Sequence, residues 1–365
     1  MKQRQVSTEN FDAVILADSI NHTGERLTTM AITFPRIVLA EFNTHRKFSR
    51  NSASSRAIPS KVMVAKVKKH PFIPLAFQAL HTGMQGTNYL QGNDEVEATR
   101  QWVLGSKRAV ATATSLMEAG VTKQLSNRPL ETYMYHTVIV TSSSYQNFFN
   151  LRCPKYPVKT ERGFLCNSKK DYKLMCEGMN ISVNKEDMDS PAFWKDLNTS
   201  QAEIHIQRIA ELMYDELRDS DPTYLKSGEF HMPFSDHIDE QEILDWLKIE
   251  HKFKIHGSLK VGSRLLKSVM AKIKRQISVA RCARVSYLTQ DGKFDVGADI
   301  RLFNRLLESK HMSPFEHVGI SADSSIISNN FDGFVQFREI IENPKSHGGV
   351  YRILSDVEIS GRKRI

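Results

Sequence analysis

The sequence predicts a mixed α/β (α+β) fold in a single unit, and three observations lead there. Runs rich in β-branched and apolar residues, at 11–20, 28–42 and 135–142, are interspersed with helical periodicity at 95–119, 201–218 and 264–277. The 365 residues are 40% hydrophobic and 25% charged, which supplies enough apolar side chain for a large core. No internal repeat or low-complexity tract divides the chain, so residues 1–365 are expected to form one domain.

Along the chain, FDAVILADSI (11–20) and TTMAITFPRIVLAEF (28–42) predict strands, with Pro35 marking a break after which the second segment can turn helical. The stretch 43–60, NTHRKFSRNSASSRAIPS, is a loop or helix start and is expected outside the core. Glu95 to Ala119 predicts a helix closed by Gly120, and YHTVIVTS a strand running into Ser142 and Ser143, good N-caps for a helix ending NFFNLR. Residues 153–199 are polar and predicted irregular.

From Gln201 to Arg218, Ala202, Ile206, Ile209, Met213 and Leu217 define one buried helix face, leaving Glu203, His205 and Arg208 off it; Asp221-Pro222 ends the helix. Residues 223–275 read as a connector that includes a basic amphipathic helix with Leu265, Val269, Ile273 and Ile277 every four residues. The apolar segment ARCARVSYL follows, then a helix over 298–310 with Leu302, Phe303, Leu306 and Leu307 inward. That helix delivers His311-Met-Ser313-Pro314-Phe-Glu316-His317.

Several function classes are disfavoured. No stretch approaches the roughly 20 apolar residues of a membrane span, and MKQRQVSTENFD lacks a signal-peptide core, so a cytoplasmic protein is expected. The net charge of +9 suits nucleic acid or an enzyme gathering several anionic ligands, and charge alone does not separate them. The densest runs, 66–69 and 362–364, read as solvated surface. Cys153, Cys166, Cys176 and Cys282 form no CxxC pair and are expected as reduced thiols, with no metal site.

Two segments carry chemistry. In His45 to Arg56, guanidinium groups interleave with hydroxyls and an amide, a donor-rich composition suited to phosphate oxygens or an anionic ring; a solvated basic loop is the bland alternative. The loop follows a predicted core strand, where open sheets tend to place sites. The second cluster, HxSPxEH, offers two His and one Glu, but its spacing is not HExxH and Pro314 is expected to prevent a regular turn.

Here the sequence resembles the flavin-dependent thymidylate synthase family. Its signature RHRxxSxNxxSxR is similar to Thr44-His45-Arg46-Lys-Phe-Ser49-Arg-Asn51-Ser-Ala-Ser54-Ser-Arg56, with six of seven fixed positions matching. The family's AARVSY, HxSPxEH, NFLNLR and AQxEIR segments resemble Ala283 to Tyr287, His311 to His317, Asn147 to Arg152 (after Pro129-Leu130) and Gln201 to Ile204. The order differs, because 283–317 follows the 201–204 helix instead of preceding the Ser/Arg loop. A circular permutation through the 223–275 connector, with an insertion at 153–199, explains that order.

The resemblance implies a flavin-dependent thymidylate synthase-like fold in a homotetramer, with FAD held between subunits. dUMP would stack on the flavin, methylenetetrahydrofolate would supply carbon and NADPH reducing equivalents, leaving the hard chemistry to the cofactor. By position, His45, Arg46, Asn51, Asn150, Arg152, His311, Ser313 and Glu316 would hold the flavin. Glu41, Ser54, Ser55, Arg56, Tyr135, Gln201 and His205 would bind the nucleotide, and His45, Arg46, Arg152 and His205 would act at the reacting ring. The segment after His317 would run as a strand beside 28–42, bringing HxSPxEH to the His45 loop.

The sequence departs from the family where Thr44 replaces the first Arg and Ser52 a Glu, and where His205 and Tyr135 align with arginines near the nucleotide. A neutral His both donates and accepts, so His205 could tolerate cytosine as well as uracil; the alternative is that Arg208, one turn further along the helix, or a group from 153–199 replaces the missing guanidinium and dUMP remains the substrate. Thymidylate synthesis leads; C5 methylation or hydroxymethylation of dCMP, and a phosphate- or nucleic-acid-binding protein without flavin chemistry, are the alternatives.

Overall fold

Alternation of apolar and small polar residues builds the central sheet from the hairpin of β1 (Asp12–Asn21) and β2 (Arg26–Pro35), with Asp12 opposite Thr33 and Ile20 opposite Arg26. The computed structural model describes residues 5–83, 86, 88–160, 163–250, 264–285, 295–322 and 326–343. Asn21 closes the hairpin turn, its Oδ1 accepting the N–H groups of Thr23 (3.0 Å) and Glu25 (2.9 Å). β4 (Tyr135–Ser142) pairs antiparallel with β2, β3 (Ser49–Ser52) pairs with β4, and β7 (Thr223–Leu225) adds parallel to β1. The order is β3-β4-β2-β1-β7.

Period-two alternation sends β2 side chains to opposite faces, and both faces are covered. Met30, Ile32 and Phe34, with Val138 and Val140, pack against Phe148, Ile206, Ile209 and Met213 from the helices Gln146–Arg152 and Ile204–Asp219. Ala31 and Ile139 face the other way, against Cys282 and Val285 at the end of the helix Arg264–Arg284. A smaller sheet joins β8 (Phe230–His231), β9 (Gly319–Ser321) and β12 (Phe334–Gln336) in the order β12-β9-β8. Its core includes Phe303 of the helix Val296–Glu308 and Phe315 of the 3-10 helix Ser313–His317. β10 (Ile327–Ser328) and β11 (Phe331–Asp332) pair beside it.

Several expectations are corrected. Residues 43–60 do reach the core: Phe48, Ser49, Asn51, Ala53, Ser55 and Ile58 are buried, because 49–52 pairs with β4 as an edge strand and satisfies its polar backbone there. Residues 153–160 and 163–199 carry regular elements. β5 (Tyr156–Val158) and β6 (Phe164–Cys166) form a hairpin, and with helices at Lys169–Gly178 and Pro191–Leu197 they bury Tyr156, Tyr172, Cys176 and Trp194.

Ser142 and Ser143 are not N-caps: the helix begins at Gln146 after Tyr145, while Ser142 Oγ accepts the Ser144 N–H at 3.0 Å. Pro314 fits a regular turn after all, because it occupies the start of the 3-10 helix, where a missing N–H costs no bond. The strand after His317 pairs with β8 and β12, not with β2, whose two edges are taken by β1 and β4. Pro35 behaves as expected, ending β2 before a 3-10 turn at Arg36–Val38 and the short helix Leu39–Phe42. Ser286, Tyr287 and the run 362–364 lie outside the described residues.

Candidate active site

The chain from β3 through the turn at 54–57 lines a cleft of about 750 Å³, together with Arg36, Gln124 and Arg128 from one side of the sequence and Ala283, Leu306, His311, Ser313 and Pro314 from the other. This volume suits a nucleotide-sized ligand. Among the described residues its lining holds four arginines, Arg36, Arg50, Arg56 and Arg128, and no carboxylate. Such a surface favours an anion.

The local sequence explains how each group is held. Asn51 Nδ2 donates to the Cys282 carbonyl at 2.7 Å, tying β3 to the helix Arg264–Arg284. Asn127 Nδ2 donates to the carbonyls of Ser55 (2.7 Å) and Ile58 (3.0 Å), which fixes the turn carrying Ser54 and Arg56. Ser55 Oγ donates to Glu131 Oε1 at 2.5 Å, so this hydroxyl serves the wall more than a ligand. Arg56 is exposed and makes no hydrogen bond among the described residues.

His311 arrives by an unusual helix ending. Its N–H bonds the Leu306 carbonyl (2.8 Å) and that of Lys310 the Leu307 carbonyl (3.2 Å), a Schellman pair in which Lys310 takes the left-handed φ of 55° that glycine normally supplies. His317 is buried, with Nδ1 hydrogen-bonded to Thr141 Oγ1 at 2.8 Å. Glu316 is ion-paired to Arg338. Arg50 joins the cleft to what lies beyond: Nη1 donates to the Asn43 carbonyl at 2.9 Å, and the guanidinium acts electrostatically on both His45 and Glu316.

A second cluster gathers Glu41, His45 and Arg152. Arg152 Nε donates to His45 Nε2 at 3.3 Å and Arg152 Nη1 lies 3.7 Å from Glu41 Oε2, while the His45 ring stands edge-on to Phe148 at 4.8 Å. Burial, then Arg152 and Arg50, lower the His45 pKa to about 4, so the ring is a neutral acceptor at pH 7. Glu41 is raised by burial and by Glu203, with Arg152 and His205 opposing.

The structure thus divides the expected residues. Asn51, Ser54, Ser55, Arg56, His311 and Ser313 share the cleft; Glu41, His45 and Arg152 share the neighbouring cluster; Arg46 is exposed on the turn between them. Asn150 is exposed and accepts from Gln146 Nε2 at 2.8 Å, and Gln201 is exposed ahead of its helix.

His205 requires correction as a base-reading group. It is buried, its Nε2 accepts the Leu75 N–H at 2.9 Å and its Nδ1 is hydrogen-bonded to Glu203 Oε1. Both ring nitrogens are therefore committed, and the ring packs on Phe11 and Phe72. Tyr135 likewise packs edge-on to Phe11 (5.8 Å) and Phe72 (5.7 Å). Arg208, one turn further along the helix, pairs with Glu211 at 2.8 Å.

Arg36, Arg128 and Gln124 were not anticipated. The available signal was position: Arg36 follows the proline that ends β2, and Arg128 precedes the Pro129-Leu130 pair. No group of three His, Cys, Asp or Glu side chains among the described residues is placed to hold a metal, and no helix there is long and apolar enough to cross a membrane.

No family model and no curated protein matches the chain. Among solved structures it is similar to a UMP/dUMP methylase, PolB, from Streptomyces cacaoi. With the form bound to 5-Br dUMP the identity is 13%, covering 47% of this chain and 88% of that one at a TM-score of 0.32. With the form bound to 5-Br UMP the identity is again 13%, covering 57% of this chain and 89% of the other at a TM-score of 0.36.

Proposed function

We propose that this chain is a flavin-dependent C5-methylating enzyme of pyrimidine nucleoside monophosphates, of thymidylate synthase type, with dUMP as substrate. One observation carries the reading: two motifs more than 250 residues apart, 49–56 and 311–314, line a single arginine-rich cleft. That juxtaposition is what a permuted chain with an intact site requires. The concave shape favours a small anionic ligand over the open basic stripe of a nucleic-acid binder.

FAD fits the chemistry of the donors present. The lining guanidinium groups suit its phosphates, and His311 and Ser313 supply polar edges. When bound, the flavin would supply reducing equivalents drawn from NADPH to the carbon delivered by methylenetetrahydrofolate. The chain's own part is positional. Arg56 would hold the nucleotide phosphate, Arg50 would offset charge beside Glu316, and neutral His45 would keep Arg152 oriented without adding a second positive charge.

Neither His205 nor Tyr135 favours altered base choice, so uracil leads. A homotetramer with FAD between subunits belongs to the same proposal. Titration of purified, assembled protein with FAD, followed by addition of dUMP, tests it. Flavin fluorescence should quench and its spectrum shift again with dUMP; protein that binds dUMP but no flavin would remove the redox half of the reading.

A further inference from the structure

We propose that Arg36, a residue outside every motif of the resemblance, is a fixed phosphate contact of the cleft. The proposal rests on reading the cleft as a nucleotide site and names how its phosphate is recognised.

Arg36 follows the last residue of β2, where Pro35 breaks the strand and turns the chain into a 3-10 helix. Its backbone N–H donates to the Met134 carbonyl at 3.0 Å, which anchors the base of the side chain to the segment entering β4. The guanidinium is then held at two points. Nε lies 3.3 Å from Glu131 Oε2, and Nη1 donates to His136 Nδ1 at 3.2 Å. His136 is buried on β4 and kept neutral by burial and by Arg36 itself, its pKa lowered to about 3, so Nδ1 remains an acceptor.

Those two tethers fix the guanidinium plane and leave Nη2 without a hydrogen-bond partner among the described residues, on a side chain that lines the cleft. Glu131 does not lie in the lining. It stands behind, where it also receives Ser55 Oγ at 2.5 Å and Arg128 Nη1 at 2.9 Å. One carboxylate therefore orders the Arg36 and Arg128 guanidiniums, from two separate segments, toward the same space. An arginine whose rotamer is already set loses less entropy on binding than a free one such as Arg56. The recognised group is a dianionic phosphate monoester, since several converging guanidiniums, with no lining carboxylate among the described residues, exceed what a neutral ring needs.

Calorimetry on the full chain tests this with three probes: dUMP, deoxyuridine and inorganic phosphate. Arg36→Gln should weaken dUMP and phosphate by roughly tenfold or more, while deoxyuridine binding stays unchanged. Arg36→Lys, which keeps charge but cannot hold both tethers, should fall between, and it carries the test by the same criterion if the Gln variant does not fold. Unchanged dUMP affinity in either variant overturns the proposal. So does equal weakening of dUMP and deoxyuridine, which is the signature of a structural role. Wild-type protein that binds phosphate through Arg36 but neither nucleotide nor nucleoside would keep the anion contact and overturn the enzyme reading. Binding of dUMP that ignores Arg36 would do the reverse, and binding of no probe would overturn both.

Discussion

Acid should destabilise this protein from just below pH 6.5, through three buried histidines. His231 links Ser19 Oγ (2.9 Å) to Thr29 Oγ1 (2.8 Å), Thr29 meets Thr141 (2.7 Å), and Thr141 meets His317 Nδ1 (2.8 Å), forming a buried hydrogen-bond chain between the two sheets. Burial lowers the pKa of His231 to about 4 and, helped by His231, that of His317 to about 3; burial and Arg36 lower His136 to about 3. An unfolded histidine titrates near 6.5. Each folded pKa lies below the unfolded one, so each ring contributes its full stability above about pH 6.5 and loses it as pH falls toward the folded value.

The loss is about 1.4 kcal/mol per pH unit per ring, hence roughly 2 kcal/mol per ring between pH 6.5 and 5. His317→Gln keeps a hydrogen-bonding amide near Thr141 but does not titrate. Urea unfolding near pH 7, 6 and 5, followed by circular dichroism, should show the variant losing about 2 kcal/mol less than wild type across the acid range. Matched comparison cancels Glu41 and Asp215, whose burial-raised pKa values act in the opposite direction. Equal acid dependence in both proteins would refute the assignment of His317 as buried and neutral.

Further outcomes follow from single contacts. Arg56→Ala should raise the KM for dUMP roughly ten- to hundredfold with little change in kcat, by removing a charge-assisted phosphate contact; an unchanged KM rejects that role. Asn51→Ala should cost about 1–2 kcal/mol in a denaturant melt, because it frees the buried Cys282 carbonyl and unties β3. Gly333→Ala should cost about 1–3 kcal/mol: φ is +71°, and an added Cβ would lie 2.6 Å from Asn21 Nδ2 and Glu25 Cβ. Arg46→Ala should weaken FAD without altering dUMP affinity in FAD-free protein, readable by flavin fluorescence.

What the sequence revealed depended on whether a signal was periodic. β1, β2 and β4 were legible from β-branched runs, and Pro35 and Gly120 placed breaks where the backbone uses them. β3 was hidden because SRNS is polar, and its burial rests on pairing with β4 and on the Asn51 bond to Cys282, which no local pattern encodes. The 153–199 unit was missed because Tyr156, Cys166, Tyr172 and Trp194 are too widely spaced to show a period.

The cleft was half legible. The motif residues Ser54, Arg56, His311 and Ser313 converge, whereas Arg36 and Arg128 line the cleft through tertiary position alone. His205 misled because helical periodicity placed it off the buried face, yet Phe11, Phe72 and the Leu75 N–H reach over it from distant segments.

Carbon transfer to C5 of a uracil nucleotide must displace the hydrogen at that carbon, so tritium release reads it out. Purified protein supplied with FAD, NADPH and methylenetetrahydrofolate should release tritium from C5-labelled dUMP, leave C5-labelled dCMP intact, and yield thymidylate by mass spectrometry. Protein shown to bind both FAD and dUMP that releases no tritium from the uracil nucleotide would not be a C5-methylating enzyme of this nucleotide.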